Sequence, residues 1–315
     1  MYLLPLVVGI LVGCVLPLQT SANTKLSDRV GSSFASTLTS FIVSGIFSVI
    51  LVLVMHQNLN LHFDLLIGHP FWVWTSGAFG AICVVGSIIA MPKIGSVQTV
   101  IMLVLGQIVT GLLVDHFGFF GTTVNSLTLW KLLGAILLLV GVFVVVSLTK
   151  DKSNQAAKEA SKKKNSLSIW IFRLVAFIAG VASAIQTGIN GYVGTILDSP
   201  YITTVLTNIE GIIFLIVVIL VTRSKLQVRN TTGTRYPAWI WFGGIYGTLF
   251  VIGNIYLAHT IGIGMTVVLT LIGQMLCSLI LDTAGILGVP KKKLTANRII
   301  GLVIMIVGAV IIHTL

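Results

Sequence analysis

Residues 13–23 have the sequence GCVLPLQTSAN, and residues 180–190 have the related sequence GVASAIQTGIN. The glycine, the Gln-Thr pair and the asparagine recur at one offset of 167 residues. With 32 glycines in 315 residues, chance predicts roughly one or two glycine pairs at this offset between residues 13 and 148. The sequence has ten, whose first members are at positions 13, 77, 80, 86, 95, 106, 118, 121, 134 and 141. The chain therefore contains two copies of one repeat.

The composition is that of a membrane protein. Hydrophobic residues make up 56% of the chain and charged residues only 9%, whereas soluble domains carry about 25% charged residues. The sequence therefore predicts an all-α polytopic membrane protein. Apolar runs long enough to cross a bilayer as helices lie at residues 2–22, 30–54, 71–91, 96–116, 127–149, 168–190, 199–222, 238–258, 263–285 and 296–315. These runs predict ten transmembrane helices, five in each copy.

The positive charges lie almost entirely on one set of alternate loops. The net charge is +11, and every Lys and Arg except Lys131 falls on that set. By the positive-inside rule those loops are cytoplasmic, which places both termini outside. The basic excess therefore reflects topology, so that the expected partner is the lipid bilayer and not a nucleic acid.

The charges also predict that the two copies are inverted relative to each other. An odd number of spans per copy reverses the orientation of the second copy, as in many transporters. The loop after the first span carries Lys25 and Arg29, whereas the equivalent loop after the sixth span carries only Asp198. The domains are then a first five-helix repeat at 1–149, a basic cytoplasmic linker at 150–166 and an inverted second repeat at 167–315.

Two matched pairs of amides are candidates for substrate binding. Gln19 and Asn23 are one helical turn apart and share a face, as do Gln186 and Asn190. Uncharged amides can both donate and accept hydrogen bonds, so they can bind a polar solute and then release it. The alternative is that they bond neighbouring helices. The same two interpretations apply to a second pair of equivalent residues, Gln107 and Gln274.

Glu210 is the one acidic residue near the middle of a predicted span. Its equivalent in the first copy is Val43, so the acid is not part of the shared repeat. A charged side chain at the bilayer centre costs about 3 kcal/mol on insertion scales and is a functional candidate by default. We therefore consider Glu210 a candidate for proton or cation coupling. The alternative is a protonated Glu210 that bonds Thr207 or a neighbouring helix.

No catalytic, phosphate-binding or metal-binding motif is present, so we expect neither an enzyme nor a cofactor. The cysteines lie inside spans without metal or disulfide spacing. The fifth and tenth spans contain no polar side chain over residues 132–146 and 299–312, and they carry glycines seven residues apart, Gly134 with Gly141 and Gly301 with Gly308. Such glycines suit close helix packing. These two spans are expected at the periphery, where they face lipid or the second protomer of a homodimer.

A further pattern runs from the first span into the second and consists of Gly13, Pro17, Gln19, Asn23, Gly31, Ser40, Phe41 and Gly45. This run resembles the YdcZ-type branch of the drug/metabolite transporter superfamily, in its fused ten-helix form. The resemblance implies an exporter in a bacterial cytoplasmic membrane, with helices 1–4 and 6–9 around a central cavity. The related small multidrug resistance proteins carry a membrane-embedded Glu in their first helix, where this chain has Gln19. Their cation–proton exchange therefore cannot be transferred to it.

Together these features predict a secondary transporter for a small polar or amphipathic metabolite that works by alternating access. An exporter coupled to protons is one form of this prediction. Two alternatives remain, a passive channel and a membrane scaffold or receptor that transports nothing.

Overall fold

The computed structural model describes residues 3–57, 59, 63–122, 124, 127–147, 166–223, 236–261, 263–288, 291 and 295–314. Within these residues, ten α-helices have 19 residues or more. They are α1 (Leu3–Val30), α2 (Ser33–Val54), α3 (Ser76–Ile94), α4 (Ser96–Phe117), α5 (Leu129–Ser147), α6 (Ser166–Leu197), α7 (Pro200–Thr222), α8 (Gly243–Ile261), α9 (Ile263–Ala284) and α10 (Ala296–Thr314). Short 3₁₀ helices at Phe71–Thr75 and Ala238–Phe242 lead into α3 and α8.

Seven helices of the described chain, α1–α4 and α6–α8, are long and apolar enough to cross a membrane. The other three contain shorter apolar segments at Leu129–Gly141, Val268–Ala284 and Ile299–Ile312. Large apolar side chains such as Phe143 and Val221 point outward from the bundle. An exposed apolar surface of this kind suits a lipid environment. The predicted all-helical membrane protein is confirmed at this level.

Helices α1 and α6 continue past the ends predicted for the first and sixth spans. The predictions ended at residues 22 and 190, because polar side chains lower the hydropathy beyond those points. The backbone remains helical until a residue with positive φ ends it, at Gly31 (φ 73°) after α1 and at Asp198 (φ 47°) after α6. The next helix then begins with a serine N-cap in each copy.

The repeat extends to the conformation of the turns. His56 and Arg223 are 167 residues apart and have φ values of 53° and 48°. Phe120 and Leu287, at the same offset, have φ values of 58° and 54°. Non-glycine residues seldom adopt this conformation, so its recurrence indicates that the two copies share a backbone plan as well as a sequence.

The helices of one copy pack mainly against helices of the other copy. Helix α1 packs against α8 and α9, and its equivalent α6 packs against α3 and α4. The closest approaches occur at glycines without a Cβ, with Gly13 against Thr270 and Gly180 against Leu103. Helices α2 and α7, which are equivalent, also pack against each other.

Helices α5 and α10 form an antiparallel pair that packs against α4 and α9. A Cβ added at Gly134 would lie 2.7 Å from the carbonyl oxygen of Gly308, and one added at Gly141 would lie 2.6 Å from that of Gly301. The seven-residue spacing of these glycines, which both copies keep, is thus used within one chain. The opposite faces of both helices are apolar and exposed. Residues 148–165, which hold nearly all of the predicted linker, lie outside the described residues.

Candidate substrate cavity

The central cavity lies between α1, α2 and α3 of the first copy and α6, α7 and α8 of the second. Six pairs of equivalent residues line it, namely Gln19 with Gln186, Ser40 with Thr207, Phe41 with Asn208, Gly80 with Gly247, Cys83 with Phe250 and Val84 with Val251. The free volume is about 30 Å³, which holds about two water molecules. In this conformation the cavity is therefore nearly filled by its own side chains.

Two glutamines form equivalent parts of the cavity wall. The Gln186 amide lies directly against Gly80 of α3, and the Gln19 amide lies against Gly247 of α8. Both side chains are buried, and neither amide takes part in a hydrogen bond with another described residue. Their donors and acceptors are therefore available to a solute in the cavity.

The two asparagines occupy a different position, beside the neighbouring helix. Asn190 Oδ1 accepts a hydrogen bond of 2.9 Å from the Thr207 hydroxyl. At the equivalent place in the first copy, Asn23 Oδ1 accepts one from the Ser40 hydroxyl. Asn23 and Asn190 thus hold the hydroxyl groups of the cavity wall, and neither side chain lines the cavity itself.

Gln107 and Gln274 meet each other where the two copies come together. Gln274 Nε2 donates to Gln107 Oε1 at 3.4 Å, and Gln107 Nε2 donates to the Ser183 hydroxyl at 2.8 Å. Both side chains are buried. Contact between equivalent residues is expected only near an axis that relates the two copies.

Glu210 belongs to α7, and its side chain lies beside the N-terminus of α3 and not at the cavity wall. Its Oε2 atom accepts hydrogen bonds from the Ser76 hydroxyl at 2.8 Å and from the Gly77 amide at 2.9 Å. The free N–H groups and the dipole at a helix N-terminus favour a carboxylate. Its Oε1 atom is buried and has no hydrogen-bond partner among the described residues. The predicted bond to Thr207 is replaced by an indirect one, because Ser76 Oγ lies 3.1 Å from Thr207 Oγ1.

The cavity is not fully symmetric, and this asymmetry could not be read from the amides alone. Phe41 of α2 is equivalent to Asn208 of α7, and Cys83 of α3 is equivalent to Phe250 of α8. Asn208 Nδ2 also donates to Ser48 at 3.4 Å. Asn208 was missed as a site residue. Comparison of each polar residue in a span with its equivalent would have detected it.

A second cavity lies beside the first, between α1, α3, α4 and α9. Leu16 lines both cavities, while Thr99 and Gln274 line only the second. Ser21 also lines it, and its hydroxyl is buried without a partner among the described residues. The predicted site residues therefore fall into three groups, namely Gln19 and Gln186 at the central cavity, Gln107 and Gln274 at the contact between copies, and Asn23, Asn190 and Glu210 behind the cavity wall.

An aromatic cluster covers one end of the bundle. Trp72 lies edge-on to Phe120, with ring centroids 5.1 Å apart, and 4.9 Å from Tyr192. His69 Nδ1 is 3.0 Å from the Tyr192 hydroxyl. In the equivalent positions of the other copy, Tyr192 corresponds to Lys25 and Phe120 to Leu287. The equivalent positions of the two copies therefore carry different chemistry at this cluster.

The chemistry available around the central cavity is hydrogen bonding to neutral groups, with the Glu210 carboxyl behind the wall. Within the described residues, no group of three His, Cys, Asp or Glu side chains could hold a metal ion. The arrangement can bind a small solute through amides and hydroxyls.

Comparison with known proteins gives one family and one fold. The family described as "Putative inner membrane exporter, YdcZ" matches residues 4–144 and again residues 171–311. A solved structure, described only as "Crystal structure of protein", shares 14% sequence identity with a TM-score of 0.63, and the alignment covers 96% of each chain. At this identity the likeness shows the fold alone. No curated protein matches the sequence.

The two family matches start 167 residues apart, at the offset that relates the two copies of the sequence. Together they cover most of the chain, and each covers nearly all of one copy. The chain therefore belongs to the YdcZ-type family of membrane transporters in the drug/metabolite transporter superfamily, in a form that carries two copies of the family's repeat.

Proposed function

We propose that the protein is a secondary transporter that exports a small polar or amphipathic metabolite by alternating access. The observation that carries the proposal is the central cavity, which is lined by equivalent residues of both copies. A cavity between two repeats is the place where alternating access can expose one site to either side of a membrane. The unbonded amides of Gln19 and Gln186 supply binding groups for a neutral or cationic solute.

The proposal includes opposite orientations of the two copies across the membrane. Support comes from pairs of equivalent helices that run antiparallel in the structure. In the pair α5 and α10, Gly134 faces Gly308 and Gly141 faces Gly301, so the residue numbers run in opposite directions. Two equivalent helices can cross a membrane antiparallel only if their copies are inverted. In this arrangement both termini are outside, as the positive-inside rule predicts.

Coupling to protons is assigned to Glu210 in this proposal. The carboxyl is held by neutral groups, and the one salt bridge between described residues, Lys25 with Asp28, is elsewhere. A carboxyl group without a counter-ion inside a membrane can exchange a proton during a transport cycle. Export of solute can then be driven by proton entry.

The test begins with a thermal-shift screen of metabolites on the purified protein, followed by gradient-driven flux in proteoliposomes. For a metabolite that stabilises the protein, Gln186→Leu should weaken binding roughly tenfold, since a buried polar group of the solute then loses its partner. Thr195→Val is the matched control, because Thr195 is an exposed residue of the same helix. Equal affinity of wild type and Gln186→Leu for the metabolite would show that the metabolite does not bind in the central cavity.

Flux separates the proposal from its alternatives. A transporter accumulates solute against its gradient when a proton gradient is imposed, and Glu210→Gln should abolish this accumulation while leaving solute exchange. A channel lets solute equilibrate but never accumulate. A scaffold or receptor gives no flux at any gradient.

A further inference from the structure

Two hydroxyl groups join Glu210 to the cavity wall. Ser76 Oγ lies 2.8 Å from Glu210 Oε2 and 3.1 Å from Thr207 Oγ1. Thr207 Oγ1 lies 2.9 Å from Asn190 Oδ1, and Thr207 lines the central cavity. The residues Glu210, Ser76, Thr207 and Asn190 thus form one continuous chain, here called the Glu210 chain.

Each hydroxyl of the Glu210 chain has a single proton to donate. When Glu210 is a carboxylate, its Oε2 atom can only accept, so Ser76 donates to it. The Thr207 oxygen then receives no hydrogen bond from Ser76. The Thr207 proton goes to the Ser76 oxygen, to Asn190 Oδ1 or to the Thr203 carbonyl oxygen, which lies 2.9 Å from Thr207 Oγ1.

Protonation of Glu210 reverses the direction in which Ser76 donates. An acid O–H at Oε1 would have no acceptor among the described residues, and buried donors without an acceptor are rarer than carbonyl oxygens without a donor. The proton therefore favours Oε2, where the Ser76 oxygen can accept it. Ser76 then donates to the Thr207 oxygen, and Thr207 donates to Asn190 Oδ1 or to the Thr203 carbonyl oxygen.

We propose that Ser76 and Thr207 are positioning residues that transmit the protonation state of Glu210 to the solute-binding groups of the central cavity. With Glu210 as a carboxylate, the Thr207 oxygen at the cavity wall is free to accept a hydrogen bond from a solute. With Glu210 protonated, it accepts from Ser76 instead. The carboxylate form thus favours solutes that carry N–H or O–H donors, and proton uptake favours their release.

Few other charged or titratable groups lie on the helices packed against α7. Helix α2 has none, and α3 has Cys83 and, near its far end, Lys93. Helix α6 has Arg173 near its start and Tyr192 near its end, and it is followed by Asp198. Helix α8 has Tyr246, Tyr256 and His259. Glu210 meets α3 at its first turn, about 25 Å along the axis from Lys93. Changes in the Glu210 chain are therefore expected to follow Glu210 itself.

The inference rests on the proposed function for its meaning, but its test needs no known substrate. The carboxyl carbonyl band of protonated Glu210 can be followed against pH by infrared difference spectroscopy, with Glu210→Gln identifying the band. Coupling between two groups is reciprocal, so loss of a hydroxyl at the cavity wall must alter the titration of Glu210. Thr207→Val should shift the midpoint by roughly half a pH unit or more.

Matched variants distinguish the coupling between Glu210 and the cavity wall from a general disturbance of α7. Thr203→Val is the control, because Thr203 is equally buried and its hydroxyl donates only to the Ser199 carbonyl. It should leave the midpoint unchanged. Thr207→Ser keeps the hydroxyl and should restore the wild-type midpoint, and Ser76→Ala should shift it as Thr207→Val does. If Thr207→Val does not fold, Thr207→Ala takes its place.

If Glu210 titrates with the wild-type midpoint in Thr207→Val or Thr207→Ala, the proposed coupling is wrong. It is also wrong if Thr203→Val shifts that midpoint as much as Thr207→Val does. Absence of flux for every metabolite would instead end the proposed transport function while leaving the infrared result to judge the Glu210 chain. For a transported metabolite, Ser76→Ala should remove most of the pH dependence of transport, and Ser76→Thr should restore it.

Discussion

The buried glycines of this protein differ in what they touch, and that difference decides how a substitution acts. Gly80 and Gly247 are covered by glutamine side chains, which can rotate away from an added methyl group. Gly13 and Gly106 are covered by the backbone of a helix from the other copy, which cannot. At the first kind of position the glycine shapes the cavity, and at the second it permits the two copies to meet.

Gly80→Ala should weaken binding of a metabolite found in the screen without large loss of stability, because the new methyl group displaces only the Gln186 amide. Gly13→Ala should lower the free energy of unfolding by about 1–3 kcal/mol or more, since the methyl group meets the backbone carbonyl of Thr270. Thermal unfolding without and with the metabolite measures the stability of each variant and its binding of the metabolite. A larger loss of stability in Gly80→Ala than in Gly13→Ala would contradict these assignments.

In helices α5 and α10, the residues of one face determine how the two helices pack. Their glycines lie on the face where they meet, and their bulky residues lie on the opposite face. In a membrane, apolar side chains gain little by leaving lipid for a helix surface, so close packing at small residues stabilises the pair. The exposed face sets no comparable constraint.

Gly141→Ala should therefore lower thermal stability, because its Cβ would lie 2.6 Å from both the Gly301 carbonyl oxygen and Met305 Cγ. Val140→Ala is the matched control, since Val140 is the preceding residue and is 43% exposed. It should leave the midpoint of unfolding nearly unchanged in the same detergent. Equal effects at the two positions would show that α5 is not held by its glycine face.

At the scale of the whole molecule, two copies of one repeat pack into each other, so neither copy encloses the central cavity alone. Met55 and Thr222 are equivalent and exposed, at the ends of α2 and α7. In the proposed arrangement they lie on opposite sides of the membrane. Met55 is then outside and Thr222 in the cytoplasm.

This arrangement predicts the labelling of two single-cysteine variants, Met55→Cys and Thr222→Cys, in a background without Cys14, Cys83 and Cys277. A membrane-impermeant maleimide added to intact cells should label the first variant and not the second. Both should be labelled after the membrane is opened, which controls for reactivity. Labelling of both variants in intact cells would exclude the inverted arrangement.

The sequence was sufficient for the helices and the repeat, because hydropathy and an offset of 167 residues are properties of the chain itself. It was not sufficient for the ends of α1 and α6. Polar residues such as Asn23 and Lys25 lower hydropathy without ending a helix, and the end is set by the backbone at Gly31.

The candidate site was predictable in its residue types but not in its arrangement. Gln19 and Gln186 could be selected because both copies keep them. The partner of Glu210 could not, since Ser76 is 134 residues away and its equivalent in the second copy is Gly243. Neither local spacing nor the repeat pointed to that contact, which depends on how α3 and α7 pack.

The bond between Gln107 and Gln274 has a consequence for motion. A carboxamide carries a donor and an acceptor, so two equivalent glutamines can exchange the two tasks while keeping the same bond. Here Gln274 donates the hydrogen bond and Gln107 accepts it. If the two copies exchange conformations during a transport cycle, Gln107 would donate and Gln274 would accept. The hydrogen bond between Gln107 and Gln274 is then kept in both conformations, and the helices around it move relative to this fixed contact.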